Sequence, residues 1–285
     1  MKRFILIMLC AGSSLSLLAQ NGDEKKGDTI KVGGLVIITK KDKNKRSGDV
    51  TVTDKKGRSW DEGRRRRRTS NISNNWFSTD IGFASFKDET VYGTTAVNNY
   101  LRPTFSTTAP TQTDFKLRTG KSVNVNVWVF MQKLNMVKHV LNLKYGIGLE
   151  LNNYRFKSPI SFKDEGNGFV IRDSVQFSKN KLAVDYVTVP VMLNINPSGR
   201  GGFSFSGGIS VGYRYSARNK QISDDRGKEK EKGEFGLNPF RMAVVGDIGW
   251  SGLRLYGSYS LTNLFEDKAG MNFTPYNVGL RFSSW

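Results

Sequence analysis

The chain has one cysteine, Cys10, and one histidine, His139, in 285 residues. Beyond residue 20 it also lacks any apolar run of the roughly 20 residues that a membrane-spanning helix requires. Each absence excludes something. With Cys10 inside the first 19 residues, a chain trimmed after Ala19 carries no disulfide. A single histidine leaves little room for Ser–His or His–carboxylate catalysis, which needs an imidazole placed beside its partners. Metal binding is left to oxygen ligands, and the acidic loops DEG at 164–166 and SDDRG at 223–227 lack the spacing of a calcium loop. GGFSFSGG at 201–208 has glycines but neither the helix nor the lysine that a phosphate loop uses. No catalytic residue, cofactor or metal is therefore expected.

What is present begins with MKRFILIMLCAGSSLSLLAQ, where Lys2 and Arg3 precede a short apolar run broken by small residues and followed by the small residue Ala19. That is the layout of a secretory signal peptide, expected over 1–19. Lipidation at Cys10 is the alternative, and Leu9 stands where such a site prefers a small residue. The remainder is rich in Gly (30), Phe (18), Tyr (10) and Trp (5). An exported, aromatic- and glycine-rich chain without apolar helices suits a β-protein of an outer membrane.

The formal charge of +19 is unevenly spread: residues 21–75 hold 16 Lys/Arg against 8 Asp/Glu. Five consecutive arginines, Arg64, Arg65, Arg66, Arg67 and Arg68, end this stretch. Nucleic-acid binding would call for interleaved aromatics or a binding fold, and only Trp60 lies near the run, so nucleic acid is not an expected partner. A block of like charge reads instead as a solvated interaction segment. Anionic envelope polymers or lipid phosphates are the candidate ligands. Residues 20–75 are thus expected to form a weakly ordered basic periplasmic leader, with TIKVGGLVIITK at 29–40 and DVTVT at 49–53 as one small hairpin.

From Trp76 onward the dominant period is two. Eight alternating segments begin at Trp76, Ser122, His139, Tyr186, Phe203, Phe240, Leu253 and Tyr276. Long gaps near 87–121, 157–181, 217–238 and 265–274 alternate with short turns at 133–137, 196–201 and 251–252. Short turns on one side and long loops on the other characterise an outer-membrane barrel, whose apolar residues face lipid and whose polar residues face the lumen. Tyr213 and Tyr215 toward the long loops, with Phe203, Trp250 and Phe282 toward the short turns, mark the two interfaces. The expected fold is all-β: an eight-stranded antiparallel transmembrane β-barrel over 76–285. Both termini should face the periplasm of a Gram-negative cell.

The stretch YVTVPVMLNIN at 186–196, the glycine-punctuated hairpins and the ending GLRF at 279–282 resemble the PorT-type outer-membrane β-barrel family over about 76–285. The resemblance implies an outer-membrane location and, for some members, a part in protein secretion. GLRF runs on into SSW, so the signal read by the barrel-assembly machinery, which includes Gly279, ends at Phe282 or at Trp285.

Parity sends Asp80, Lys144, Glu150, Arg214, Arg241, Asp247, Arg254 and Arg281 to the lumen, with Trp128, Phe130 and Tyr256. Eight strands leave an interior that side chains can fill. Charges buried there should pair, because an unpaired one costs several kcal/mol. His139 is expected at the periplasmic end, facing lipid. The sequence thus predicts a non-enzymatic barrel, plugged by an ionic network, with a structural, scaffold or secretion-accessory role among outer-membrane lipids. A small anion-preferring channel and a lipid-modifying hydrolase are the competing classes.

Overall fold

The computed structural model describes four short leader strands as backbone, and residues 70–283 apart from 106, 167, 198–201 and 251. The signal-peptide residues, Cys10, Arg64–Arg68 and Trp285 lie outside the described residues. The chain divides into two compact units, Met1–Thr69 and Ser70–Trp285. In the first, β1 (Asp28–Val32), β2 (Leu35–Thr39), β3 (Val50–Thr53) and β4 (Ser59–Asp61) form an antiparallel meander. The run at 29–40, expected as one hairpin arm, is itself two arms, of which β2 pairs with β3.

The second unit opens with β5 (Ile72–Asp88), α1 (Thr95–Tyr100), β6 (Leu101–Arg102), β7 (Val123–Val137) and β8 (Leu141–Arg155). There follow β9 (Ile160–Lys163), β10 (Phe169–Arg172), β11 (Lys179–Ile195) and β12 (Phe203–Ser223). It closes with β13 (Gly227–Lys232), β14 (Phe240–Trp250), β15 (Leu253–Ser260) and β16 (Phe273–Phe282). Eight of these strands pair antiparallel in a closed ring, β5–β7–β8–β11–β12–β14–β15–β16 and back to β5. Closure leaves the ring with no unpaired edge, which is the condition for strands to cross lipid.

The polarity is inverted relative to a water-soluble barrel. Val189, Ile209, Val244, Leu255 and Leu280 are exposed on the outer face, whereas Asp80, Lys144, Asp247 and Arg254 are buried inside. Water would not tolerate so continuous an apolar surface, and lipid would. Along β12 the outer band runs from Phe203 to Tyr213, and ten residues tilted by about 40° span ~26 Å, the height of a barrel's apolar belt. One rim of the band carries Phe203, Trp250, Leu253 and Phe282, joined by consecutive cross-strand pairs. The other carries Tyr213 packed on Phe240 at 5.3 Å, and Tyr259 opposite Tyr276.

Several local features depart from simple alternation, among them a bulge at Tyr215, which the β11–β12 ladder skips and which turns the even-numbered residues of upper β12 outward. At Phe77 the backbone is left-handed (φ 57°), and the β7 ladder skips a residue between Trp128 and Phe130. Past this irregularity the parity reverses. Phe130, expected in the lumen, packs its ring 4.8 Å from exposed Trp76, while Met131, expected on the outer face, is buried. The short turn expected at 133–137 lies at 138–140, because β7 continues to Val137. Lys138 and His139 both have positive φ (46° and 60°), and the Val140 amide donates to the Val137 carbonyl at 2.9 Å. That is the two-residue turn whose twist matches a hairpin. His139 is therefore a turn residue held by its amide on Asn135 Oδ1 (2.6 Å), not a lipid-facing strand residue.

Candidate functional site

Inside the ring the side chains form two polar layers. The layer nearer the short turns is built on two carboxylates. Asp80 accepts from Arg281 Nε (2.7 Å) and Nη2 (2.8 Å), from Trp128 Nε1 (2.8 Å) and from Asn126 Nδ2 (3.1 Å). Asp247 accepts from Arg281 Nη1 (2.7 Å), Arg254 Nε (2.5 Å) and Ser206 Oγ (3.0 Å), with Lys144 Nζ at 3.8 Å. Arg254 donates its remaining groups to the hydroxyl and the carbonyl of Ser204, each at 2.8 Å, and Lys144 donates to Ser206 Oγ at 3.0 Å. Arg281 thus bridges both acids, and its guanidinium lies between the rings of Trp128 (5.4 Å) and Tyr256 (5.8 Å).

The second layer centres on Glu150. It accepts from Arg241 Nη1 (2.6 Å), Asn152 (3.1 Å) and Asn277 (3.3 Å), and Arg241 reaches Ser258 at 3.4 Å. Tyr256 donates to Asn124 across the lumen. The Tyr256 ring has room because Gly82 and Gly279 stand directly opposite each other in the β5–β16 ladder. A Cβ on Gly279 would run into the Gly82 backbone, and one on Gly82 would meet the Tyr256 hydroxyl. Between the layers lies a cavity of about 20 Å³ bordered by Trp128, Glu150, Tyr256 and Arg281, space for about one water molecule.

Seven of the eight expected lumen charges therefore pair, Asp80 and Asp247 with Lys144, Arg254 and Arg281 in one layer and Glu150 with Arg241 in the other. Arg214 does not join them. It also turns inward, but higher on β12, where its guanidinium donates to the Leu237 carbonyl (3.1 Å). The reason is the apolar lining at that level, which parity along a single strand did not reveal.

That lining belongs to a part of the molecule which sequence periodicity missed. At the long-loop end the interior changes from polar to apolar: Ala84, Tyr154, Leu182, Val184, Tyr186 and Phe273 continue the strands upward as one buried cluster with loop residues. The loops contribute Val97 and Tyr100 from α1, Phe162 from β9, Val170 from β10, and Phe235, Leu237 and Phe265. Phe265 packs 5.4 Å from Phe273 and 5.5 Å from Tyr100, whose hydroxyl donates to the Phe235 carbonyl at 2.5 Å. A small sheet, β6–β10–β9, lies within this cap, with β6 parallel to β10. Its signal in the sequence was the concentration of Phe and Tyr in segments too short for spanning strands.

Ion pairs tie the cap together. Asp173 is held by Arg226 through two bonds (3.0 and 3.1 Å) and by Ser161 (3.1 Å), and Asp114 by Arg172. Burial pushes the Asp173 carboxyl up. The Arg226 guanidinium, the Val175 amide and the Ser161 hydroxyl outweigh it, so the group ends below the ordinary 3.8. Asp114 is lowered in the same way by Arg172 and the Thr111 donors. Among the described residues no group of His, Cys, Asp and Glu is gathered to hold a metal.

No curated protein sequence matches this chain. Among solved structures it is similar to the crystal structure of Ail, the attachment invasion locus protein of Yersinia pestis. The identity there is 10%, the match covers 74% of this chain and 97% of that one, and the TM-score is 0.32. The family model for the outer membrane protein beta-barrel domain matches residues 81–266. With that match over more than half of the chain, the closed ring of eight antiparallel strands, apolar outward and ionic inward, belongs to the outer membrane protein beta-barrel domain family.

Proposed function

We propose that this outer-membrane barrel works through its surfaces and not its lumen, as a sealed membrane anchor presenting a folded extracellular cap. The observation that carries this reading is Arg281, which joins Asp80 and Asp247 across the lumen and leaves about 20 Å³ beside it. A scaffold or secretion-accessory role follows, in keeping with the PorT-type resemblance of YVTVPVMLNIN and GLRF. The basic leader, with Arg64–Arg68, is then a periplasmic contact segment for anionic envelope polymers or secretion components. Gly279 with Phe282 or Trp285 serves the assembly machinery. The test is twofold. In planar bilayers the native chain should give no steady conductance, and cross-linking in the native envelope should capture protein partners on the leader and the cap. Large, stable native currents would overturn the sealed reading and promote the small channel, which the excess of four lumen cations over three acids would make anion-preferring.

A further inference from the structure

Above the Tyr213–Phe240 level, β12 exchanges one neighbour for another. Its lower part pairs with β14, and its upper part, from Arg218 to Ser223, pairs with β13. The register there places Arg155 of β8 opposite Lys181 of β11, Lys181 opposite Lys220 of β12, and Lys220 opposite Lys230 of β13. Four cations thus stand side by side across four adjacent strands, a row ~14 Å wide at the usual strand spacing. The flanking rows add Arg218 opposite Lys232, and Lys228 opposite Ile222.

The pleat sorts the charges. In GKEKEK the lysines share the outward side with Lys220, whereas Glu229 and Glu231 stand opposite Gln221 and Asn219, which are buried on the inner side. Glu231 is bound there by Lys163 at 2.8 Å. The one acid that strand parity puts on that side, Asp185, is buried and taken by Arg218. Like charges placed directly opposite destabilise a sheet. Lys181 itself donates to the neutral Asn153 Oδ1 at 2.6 Å. A fold that lines up such a row gains from an anion laid across it.

Position selects among anions. The row faces the same way as Val187, Val189, Tyr213 and Tyr215, which are exposed on the lipid-facing side. On β12, Arg218 lies about 8 Å and Lys220 about 13 Å above Tyr215, three and five residues along a tilted strand. This is the wall of the barrel at headgroup height, not the top of the cap. We infer that the outward face of β8, β11, β12 and β13, through Arg155, Lys181, Lys220 and Lys230, binds the phosphorylated saccharide headgroup of an outer-leaflet glycolipid.

The test uses the full-length protein in phosphatidylcholine nanodiscs doped with lipid A, either phosphorylated or enzymatically dephosphorylated, with retained lipid quantified by mass spectrometry after capture. The phosphorylated form should be retained at least about tenfold more than the dephosphorylated form, because several cations act together on an anionic surface. K181Q/K220Q/K230Q should lose that preference and K181R/K220R/K230R should keep it. The residues face outward, so the glutamine variant should still shift on unboiled gels; should it fail to fold, the arginine variant and the two lipid forms decide. Equal retention of both lipids, or retention unchanged in the folded glutamine variant, would overturn the proposal. So would displacement by inorganic phosphate, or tighter binding of a soluble sulfated polysaccharide, which would make this a site for free anions.

Discussion

Arg281 stands directly opposite Asp80 in the ladder between the last strand and the first, and holds both of its carboxylate oxygens, at 2.7 and 2.8 Å. The pair is 201 residues apart in the chain and sits on the seam where the barrel closes. Its third arm, Nη1, reaches Asp247 at 2.7 Å on β14, so one guanidinium joins three strands.

Arg281→Met should therefore strip two buried carboxylates of their main partner. Breaking a buried pair costs about 3–5 kcal/mol. The urea midpoint for loss of the folded band on unboiled gels should fall accordingly. Arg281→Lys should recover only part of it, because an ammonium cannot reproduce the two-point contact. An unchanged midpoint in the methionine variant would mean that the seam does not depend on the network.

Asp247→Ala removes the acid shared by Arg254, Arg281 and Lys144. Four lumen cations would then face two acids. Opposite charges at ~4 Å attract by about 4 kcal/mol at an effective dielectric of 20, enough to hold a plug closed. The variant should give small, anion-selective openings in planar bilayers where the native chain gives none. Cation-selective openings would contradict the charge assignment.

Gly279→Ala should block assembly more than its one added carbon suggests. The methyl group would meet the Gly82 backbone and Ile81 carbonyl across the seam, and neither can move without parting the ladder. Folded yield in vesicles should drop severely, while Gly207→Ala, where a Cβ meets nothing within 4 Å, should assemble normally. Equal yields would show that the seam tolerates the extra width.

The cap should loosen in acid. The Asp173 carboxyl is held below its ordinary 3.8, so its contribution is fully present above that value and is lost as pH falls through the lower folded value. Protection factors against hydrogen exchange in 157–178 should fall below about pH 4, from protonation of Asp173 and Asp114. Asp173→Asn should already show fast exchange in this segment at neutral pH, with a weaker acid response. Protection factors that stay flat from pH 6 to pH 3 in the native chain would discount the clamp.

Much of the barrel was legible in the sequence. Val187, Val189, Val191 and Leu193 alternate against Thr188, Met192 and Asn194, and a strand that must satisfy lipid on one side and charge on the other writes both demands at period two. The same parity sent Asp80, Glu150, Arg241, Asp247, Arg254 and Arg281 inward, where the structure brings them together. It failed past Trp128, since a bulge shifts parity by one and nothing in VNVNVWVFMQ marks it. It also failed to separate Arg214 from the network, because what lies at a given height depends on neighbouring strands.

Local order in the chain, then, determined strand number, facing and loop asymmetry, because alternation acts between adjacent residues. Only the tertiary structure decided three other things. One was which acid meets which arginine, since Arg281 and Asp80 meet only through ring closure. The second was the apolar cap, whose residues Tyr100, Phe162, Phe235 and Phe265 come from separate segments with no shared period. The third was the row of Arg155, Lys181, Lys220 and Lys230, which exists only as a register across four strands. Register and closure are long-range pairings, and their energy depends on partners that no single strand contains.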